Sequence, residues 1–319
     1  MLFASSCADF GDIYLRTHFA VDRNVRIYSA ERNGMRSDTR FIPASPAPAR
    51  EATALWLILD GTAQISFGSE TMRFSAPALI QMPESWMEGA DGSRRVRLET
   101  GGEYHRALRI LLRTNASFEV LAMDASVLTA AAAYHHAVLG PGAVANANSA
   151  KPAKELLRAL RASGLLPAGI DPEEIVEEED APLTRSWKAL QERYAAFDVS
   201  PSLKLMAASC GLSLRHTARL IAEIFRDFLM PVGGFREATI TLRLCFASML
   251  LSSSALSVAE VAALVGYGHP ESLTNAFKRA NLPPPQRVRS GYTEEAKHLS
   301  APPRTTAEST PDSFTADAI

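Results

Sequence analysis

Two segments in the C-terminal part of this 319-residue chain repeat one pattern of helix, glycine turn and helix, and this repeat constrains the fold most. In residues 202–225, Gly211 stands at the turn, where a positive φ costs glycine little, and Ser213 can cap the second helix. Ala207 is small where that second helix must approach. The apolar positions of this segment are Leu203, Met206, Cys210, Leu212 and Leu220.

Residues 255–280 contain the second copy, with Ala262 at the small position and Gly266 at the turn. Pro270 suits the first position of the second helix, because its missing N–H would have no intrahelical partner there. Two copies about 55 residues apart, joined by a helical segment, predict an all-α domain over 184–292 with two helix–turn–helix motifs. The inward positions predicted for this copy are Val258, Val261, Val265, Leu273, Ala276 and Phe277.

The second helix of each motif carries cationic side chains away from its apolar positions, and that of the second motif also carries the amide of Asn275. In a helix–turn–helix this helix enters the major groove, where arginine and asparagine can make paired contacts to guanine and adenine. Arginine and lysine also neutralise phosphates. The favoured base readers are Arg215, His216, Arg219, Thr274 and Asn275. The full set of candidate DNA-binding residues is Arg215, His216, Arg219, Arg243, Ser272, Thr274, Asn275, Lys278 and Arg279.

The distribution of charge agrees with a nucleic-acid surface, although the formal net charge is only −2. Residues 201–291 hold ten Lys and Arg against five Asp and Glu, whereas residues 171–200 hold three against nine. The acidic segments 171–200 and 292–319 therefore mask, in the net charge, a basic block over the repeated motifs. The net charge by itself excludes no class of partner.

The second motif resembles one protein family in sequence. SVAEVAALVGYGHPESLTNAFKRA (257–280), followed by Pro285 and Arg289, resembles the C-terminal DNA-binding domain of AraC/XylS bacterial transcription regulators. Thr217 departs from this pattern, because the family usually has an apolar residue there. The likeness covers about a hundred residues and includes a matching connecting helix through Arg243, Leu244, Ala247, Leu250 and Leu251.

The resemblance implies a ligand-responsive, sequence-specific regulator of transcription, usually an activator, and no enzyme. Its implied partners are double-stranded promoter DNA, RNA polymerase, a small-molecule effector and a second copy of the chain in a homodimer. It also implies an N-terminal cupin-like domain that binds the effector.

The fold class predicted for the whole chain is α+β and multidomain. Short β-favouring runs broken by turn residues over 55–113 agree with a cupin-like antiparallel β-barrel, assigned to 1–113 as the effector-binding domain. Residues 114–183 are predicted to form a helical linker and dimerisation segment, and 293–319 a disordered tail. The stripe of Leu156, Leu157 and Leu160 indicates either an ordinary packed helix or a subunit interface.

Histidines give little support for a metal-dependent cupin enzyme, which is the rival interpretation. His105 and the upstream His18 form no His-x-His pair in the barrel region, so neither a catalytic metal nor any other cofactor is expected. Three widely spaced cysteines argue against a disulfide framework. The absence of an apolar run of about 18 residues argues against a membrane span, and a cytoplasmic location is expected.

Arginines dominate the N-terminal part, since residues 1–113 contain fourteen arginines and no lysine. Arg32, Arg36 and Arg40, with Asp38 between them, form either a solvated loop or an anion-binding site, because the guanidinium fork suits phosphates. Arg32-x-x-x-Arg36 also resembles the cyclic di-GMP motif of PilZ domains, which points to cyclic di-GMP-responsive AraC-like activators of the CuxR type. A sugar stacked on Trp56 or Trp86 is the competing effector.

Overall fold

The structure is a computed structural model that describes residues 1–43, 52–67, 70–84, 97–140, 149–175, 181–195, 202–228, 234–253 and 255–299. Every statement below concerns these ranges.

The N-terminal half is one antiparallel sheet of nine strands. The strands pair in the order β1-β2-β3-β8-β5-β7-β9, and β4 pairs with β8 while β6 pairs with β5. Their bounds are β1 Leu2–Asp9, β2 Tyr14–Val21, β3 Val25–Asn33, β4 Ser37–Asp38, β5 Thr53–Phe67, β6 Glu70–Ser75, β7 Ala78–Pro83, β8 Arg97–Leu112 and β9 Glu119–Leu121.

Alternation along the strands gives the sheet two different faces. On β3, Val25 and Ile27 lie in one hydrophobic cluster, whereas Tyr28 and Ala30 lie in another. The long strand β5 changes register on either side of Asp60, next to Gly61 at φ 88°. Bulges of this kind bend a strand, which curves the sheet.

Two helices cover the first face of the sheet. They are α1, Ala125–Leu139, and α2, Ala150–Ala162, and their apolar sides lie in one cluster with Val25, Ile27 and Leu108. Leu156, Leu157 and Leu160 are completely buried in this cluster. Within a single chain, this leucine stripe is therefore the packed face of an ordinary helix, which is the first of the two alternatives.

The C-terminal half is helical and contains both helix–turn–helix motifs. The sheet packs against each of them: Leu2, Ala4 and Val21 share a cluster with the first, and Ala8, Leu15 and Met35 share one with the second. The helices are α3 Pro182–Ala195, α4 Leu203–Cys210, α5 Leu214–Asp227, α6 Phe235–Leu251, α7 Val258–Leu264, α8 Pro270–Arg279 and α9 Pro285–Leu299.

The predicted α+β multidomain fold class is confirmed, with two local corrections. The sheet begins at Leu2, within the segment 1–113 assigned to the effector-binding domain, and β1–β3 pair with one another and then with β8. Strand β9 lies inside the segment predicted to be helical, where it pairs with β7. Helix α9 continues to Leu299, into the predicted disordered tail. The predicted domain boundaries remain predictions, and residues 300–319 lie outside the described part of the chain.

Candidate nucleic-acid interface and effector site

The first helix–turn–helix depends on local interactions that the sequence predicts. Gly211 has φ 65° and ends α4, and the N–H of Leu212 donates back to the Ala207 carbonyl. Ser213 has extended backbone, and its Oγ accepts the N–H of His216 at 3.2 Å. A left-handed turn followed by a serine cap sets the direction in which α5 leaves α4.

Helix α5 separates an apolar face from a cationic one. Leu220, Ile221 and Ile224 are buried, while Arg215 and Arg219 are exposed, as predicted, and His216 is half-buried. Sequence reasoning missed Leu214, which is 51% exposed at the first position of the helix beside Arg215. The available signal was an apolar residue out of phase with the buried stripe.

Thr217 shows how the chain tolerates a polar residue at a usually apolar position. Its side chain is completely buried, and its Oγ1 donates to the Ser213 carbonyl at 3.1 Å. Bonding back to the preceding turn satisfies the hydroxyl without a distant partner. The departure from the family pattern therefore leaves α5 intact.

The second helix–turn–helix has a reciprocal cap at its start. Ser257 Oγ accepts the N–H of Glu260 at 3.2 Å, and Glu260 Oε2 accepts the N–H of Ser257 at 2.6 Å. Gly266 has φ 81° at the turn, and Pro270 is the first residue of α8. Arg289, noted above only for its spacing, donates through Nη2 to the Leu256 carbonyl and so fixes the entry to α7.

Helix α8 buries Leu273 and Phe277 completely and turns its polar residues outward. Its exposed side chains include all five candidate residues of this helix, Ser272, Thr274, Asn275, Lys278 and Arg279. Lys278 and Arg279 lie in the last turn, where cations interact favourably with the helix dipole.

Arg243 differs from the other candidate DNA-binding residues in its position. It lies on α6, half-buried, with its guanidinium carbon 6.0 Å from the centre of the Tyr267 ring. Burial raises the pKa of Tyr267, and the nearby Arg243 acts in the opposite direction. Arg243 therefore lies against the turn that follows α7.

The four predicted effector residues each have a partner within the chain. Arg32 is buried and donates through Nη2 to Thr100 Oγ1 at 2.6 Å. Arg36 donates through Nη1 to the Tyr292 carbonyl at 3.0 Å. Asp38 is completely buried, and its Oδ2 accepts Nε and Nη2 of Arg40 at 2.9 and 2.7 Å. Their role in ligand binding stays a prediction.

Tyr292 on α9 joins the sheet to the second helix–turn–helix, and we call this junction the Tyr292 contact. Its hydroxyl accepts the N–H of Asp38 at 3.1 Å and lies 3.3 Å from Ser248 Oγ. Its ring meets the ring of Phe41 edge to face, with centroids 5.0 Å apart. Burial raises the pKa of Tyr292. The Tyr292 contact comprises Arg36, Asp38, Phe41, Ser248, Ser252 and Tyr292.

A second polar cluster lies across β5, β7 and β8. Arg109 forms an ion pair with Glu84 and lies 5.1 Å from the centre of the Trp56 ring. Trp56 Nε1, Glu84 Oε2 and Arg109 Nε are buried and have no hydrogen-bond partner within the described part of the chain. A sugar stacked on Trp56 would compete with Arg109 for the ring, and Trp86 lies outside the described residues.

Three histidines of the N-terminal half, His18, His105 and His135, are buried. His18 Nδ1 is 2.9 Å from the Tyr134 hydroxyl, and His135 Nδ1 is 2.8 Å from Ser29 Oγ. Burial lowers the pKa of His18 to about 3, of His105 to about 2 and of His135 to about 4. In the described part of the chain, no group of three or more His, Cys, Asp or Glu could hold a metal ion.

Comparisons with known proteins leave the family open. No protein-family model matches the chain, and no curated protein matches it. ToxT from Vibrio cholerae O395 is similar in structure, with 7% identity, a TM-score of 0.35, and coverage of 84% of this chain and 98% of that chain. A cupin superfamily protein from Desulfitobacterium hafniense covers 33% of this chain and 81% of that chain, with 17% identity and a TM-score of 0.22. Similarity at these scores carries no argument about family or function.

Among the described helices, none is both long and apolar enough to cross a membrane.

Proposed function

We propose that this chain is a ligand-responsive, sequence-specific DNA-binding regulator of transcription of the AraC/XylS type. The observation that carries the proposal is the pair of helices α5 and α8, each following a tight glycine turn and each buried on one face. Their opposite faces expose Arg215 and Arg219 on α5, and Asn275 and Lys278 on α8. In a helix–turn–helix, the second helix enters the major groove with its exposed side chains toward the base edges.

The exposed side chains divide into two roles. Lys278 and Arg279 neutralise phosphates and make binding salt-dependent. Arg219 and Asn275 read guanine and adenine through paired hydrogen bonds. Leu214, beside Arg215, contacts a thymine methyl group, which is the apolar feature of the major groove. The complete proposed set is Arg215, His216, Arg219, Arg243, Ser272, Thr274, Asn275, Lys278 and Arg279, with Leu214 added.

Arg219→Ala tests the base-reading role. Selection from random duplexes first gives a preferred sequence, and fluorescence anisotropy then measures its affinity against a scrambled duplex. Loss of one paired base contact is worth about 1–3 kcal/mol, so specific binding should weaken at least fivefold while the unfolding midpoint stays unchanged.

The matched control is Arg73→Ala, an exposed arginine on β6 that hydrogen-bonds to Gln64. It should bind like the wild type. Undiminished and equally selective binding by Arg219→Ala would remove Arg219 from the proposed interface, and wild-type protein that selects no sequence would overturn the proposed function.

The remaining partners follow from the resemblance and belong to this proposal. They are promoter DNA, RNA polymerase and a second copy of the chain, with activation as the outcome and the cytoplasm as the location. Light scattering at several concentrations tests the homodimer. Metal analysis of purified protein tests the rival cupin-type enzyme, which requires a bound metal.

The effector is proposed to be anionic, with cyclic di-GMP favoured by the Arg32-x-x-x-Arg36 motif and a sugar as the alternative. A nucleotide that engaged Arg36 would replace its hydrogen bond to the Tyr292 carbonyl, so binding would act on the Tyr292 contact. Isothermal titration of wild type, Arg32→Ala and Arg36→Ala with cyclic di-GMP tests this choice. Heat that is unchanged in both variants, or absent in the wild type, rules it out.

A further inference from the structure

Arg32 is a buried cation that contacts no carboxylate among the described residues. It lies on β3 with 5% of its surface exposed, and it donates through Nη2 to Thr100 Oγ1. Its Nε has no hydrogen-bond partner among the residues that the structure describes. A buried guanidinium without a counter-charge is strongly unfavourable, because the charge has lost its water and gained little in return.

His105 lies beside Arg32 and adds a second hydrogen-bond donor that needs an acceptor. It stands opposite Arg32 in the β3–β8 register and is almost completely buried, with no partner for Nδ1. Its pKa is lowered first by burial and then by the charge of Arg32. A neutral imidazole can donate one hydrogen bond, so both side chains have unused donor capacity in the same place.

We propose that Arg32, His105 and Thr100 form an oxyanion subsite, which takes a carboxylate or phosphate group of the effector. The inference rests on the proposed regulator, since the effector is the molecule that would bring this group. A planar oxyanion matches the arginine fork, because two parallel N–H donors of the guanidinium can bind two of its oxygens. A neutral ligand would satisfy the donors but leave the buried charge unbalanced.

The subsite adjoins the Tyr292 contact. Tyr292 lies close enough to Arg32 for each to influence the charge state of the other, and Arg36, four residues further on, donates to the Tyr292 carbonyl. An anion beside Arg32 therefore changes the electrostatic surroundings of the residue that docks α9 onto the sheet. Differential binding to docked and undocked states is the requirement for coupling an effector to DNA affinity.

Anion titrations of the full chain test the subsite. Thermal unfolding and isothermal titration are measured with acetate, benzoate, inorganic phosphate and cyclic di-GMP, with chloride holding the ionic strength constant. We expect saturable binding with one site per chain for one class of anion, and a raised unfolding midpoint. Acetate and benzoate report a carboxylate ligand, phosphate a free phosphate, and cyclic di-GMP a nucleotide.

Arg32→Gln should weaken that binding at least tenfold, whereas the surface variant Arg73→Gln should leave it unchanged. If Arg32→Gln does not fold, Thr100→Val and His105→Gln decide the matter, since both keep the cation and each removes one neighbour of the anion. At least one of these two variants should bind several-fold more weakly.

The subsite is overturned if no anion binds the wild type saturably, if Arg32→Gln binds as tightly as Arg73→Gln, or if Thr100→Val and His105→Gln both bind like the wild type. DNA affinity is measured separately by anisotropy. Selective DNA binding without anion binding therefore refutes the subsite alone, and anion binding without DNA selectivity refutes the proposed function alone.

Discussion

At the scale of single residues, Tyr292 shows how one side chain can serve both halves of the molecule. Its hydroxyl meets Asp38 and Ser248, and its ring meets Phe41. Tyr292→Phe keeps the ring and removes the hydroxyl, so it should lower the free energy of unfolding by about 1–3 kcal/mol, since the buried N–H of Asp38 loses its acceptor. Urea unfolding measures this, with the half-buried Tyr267→Phe as control. A loss no larger than the control's would contradict the role given to this hydroxyl.

Gly291 belongs to the same contact for a steric reason. A Cβ at this position would lie 2.7 Å from Cζ of Phe41, closer than two carbon atoms can pack. Gly291→Ala should therefore lower the free energy of unfolding by about 1–3 kcal/mol, which urea unfolding can measure. The control Gly268→Ala places its Cβ in open space. Equal stability of the two variants would show that Phe41 moves aside freely.

At the scale of elements, the glycine turns of both helix–turn–helix motifs and the Ser213 cap could be predicted because they depend on neighbours in sequence. The turn at Gly211 and the serine cap at Ser213 lie where the sequence analysis places them. Strand β9 and the end of α9 were predicted wrongly. The pairing of β9 depends on β7, about forty residues earlier in the chain, and a propensity argument cannot see such a partner.

The reciprocal cap of α7 leads to a prediction at this scale. Ser257→Ala removes the acceptor for the Glu260 N–H at the start of the second motif. The change should lower the free energy of unfolding by about 1 kcal/mol, measured in urea, and should weaken specific DNA binding by fraying α7. Ser290→Ala, an exposed serine on α9, serves as the control. An unchanged free energy of unfolding would show that the cap adds nothing to α7.

At the scale of the whole molecule, burial of His18 makes stability depend on pH. Burial alone lowers its pKa from 6.5 to about 3, so between these pH values the imidazole is protonated in the unfolded chain and neutral in the folded chain. The contribution of neutral His18 to the free energy of unfolding is fully present above pH 6.5 and is lost as the pH falls toward 3. Between pH 7 and pH 5 the free energy of unfolding should fall by about 2 kcal/mol through His18. His18→Gln should remove that part of the fall, and an equal pH dependence of variant and wild type in urea unfolding would contradict it.

The sequence by itself determined the two helix–turn–helix motifs, their glycine turns, the Ser213 cap and the outward side chains of α5 and α8, because these follow from helical spacing and from contacts within a few residues. Only the tertiary structure decided what surrounds Arg32, Arg36 and Asp38. In sequence they resemble a solvated arginine motif, yet Arg32 is buried beside Thr100, and Arg36 and Asp38 meet Tyr292 some 250 residues later. Burial and desolvation depend on what covers a residue, and the elements that meet Arg36 and Asp38 come from the opposite end of the chain.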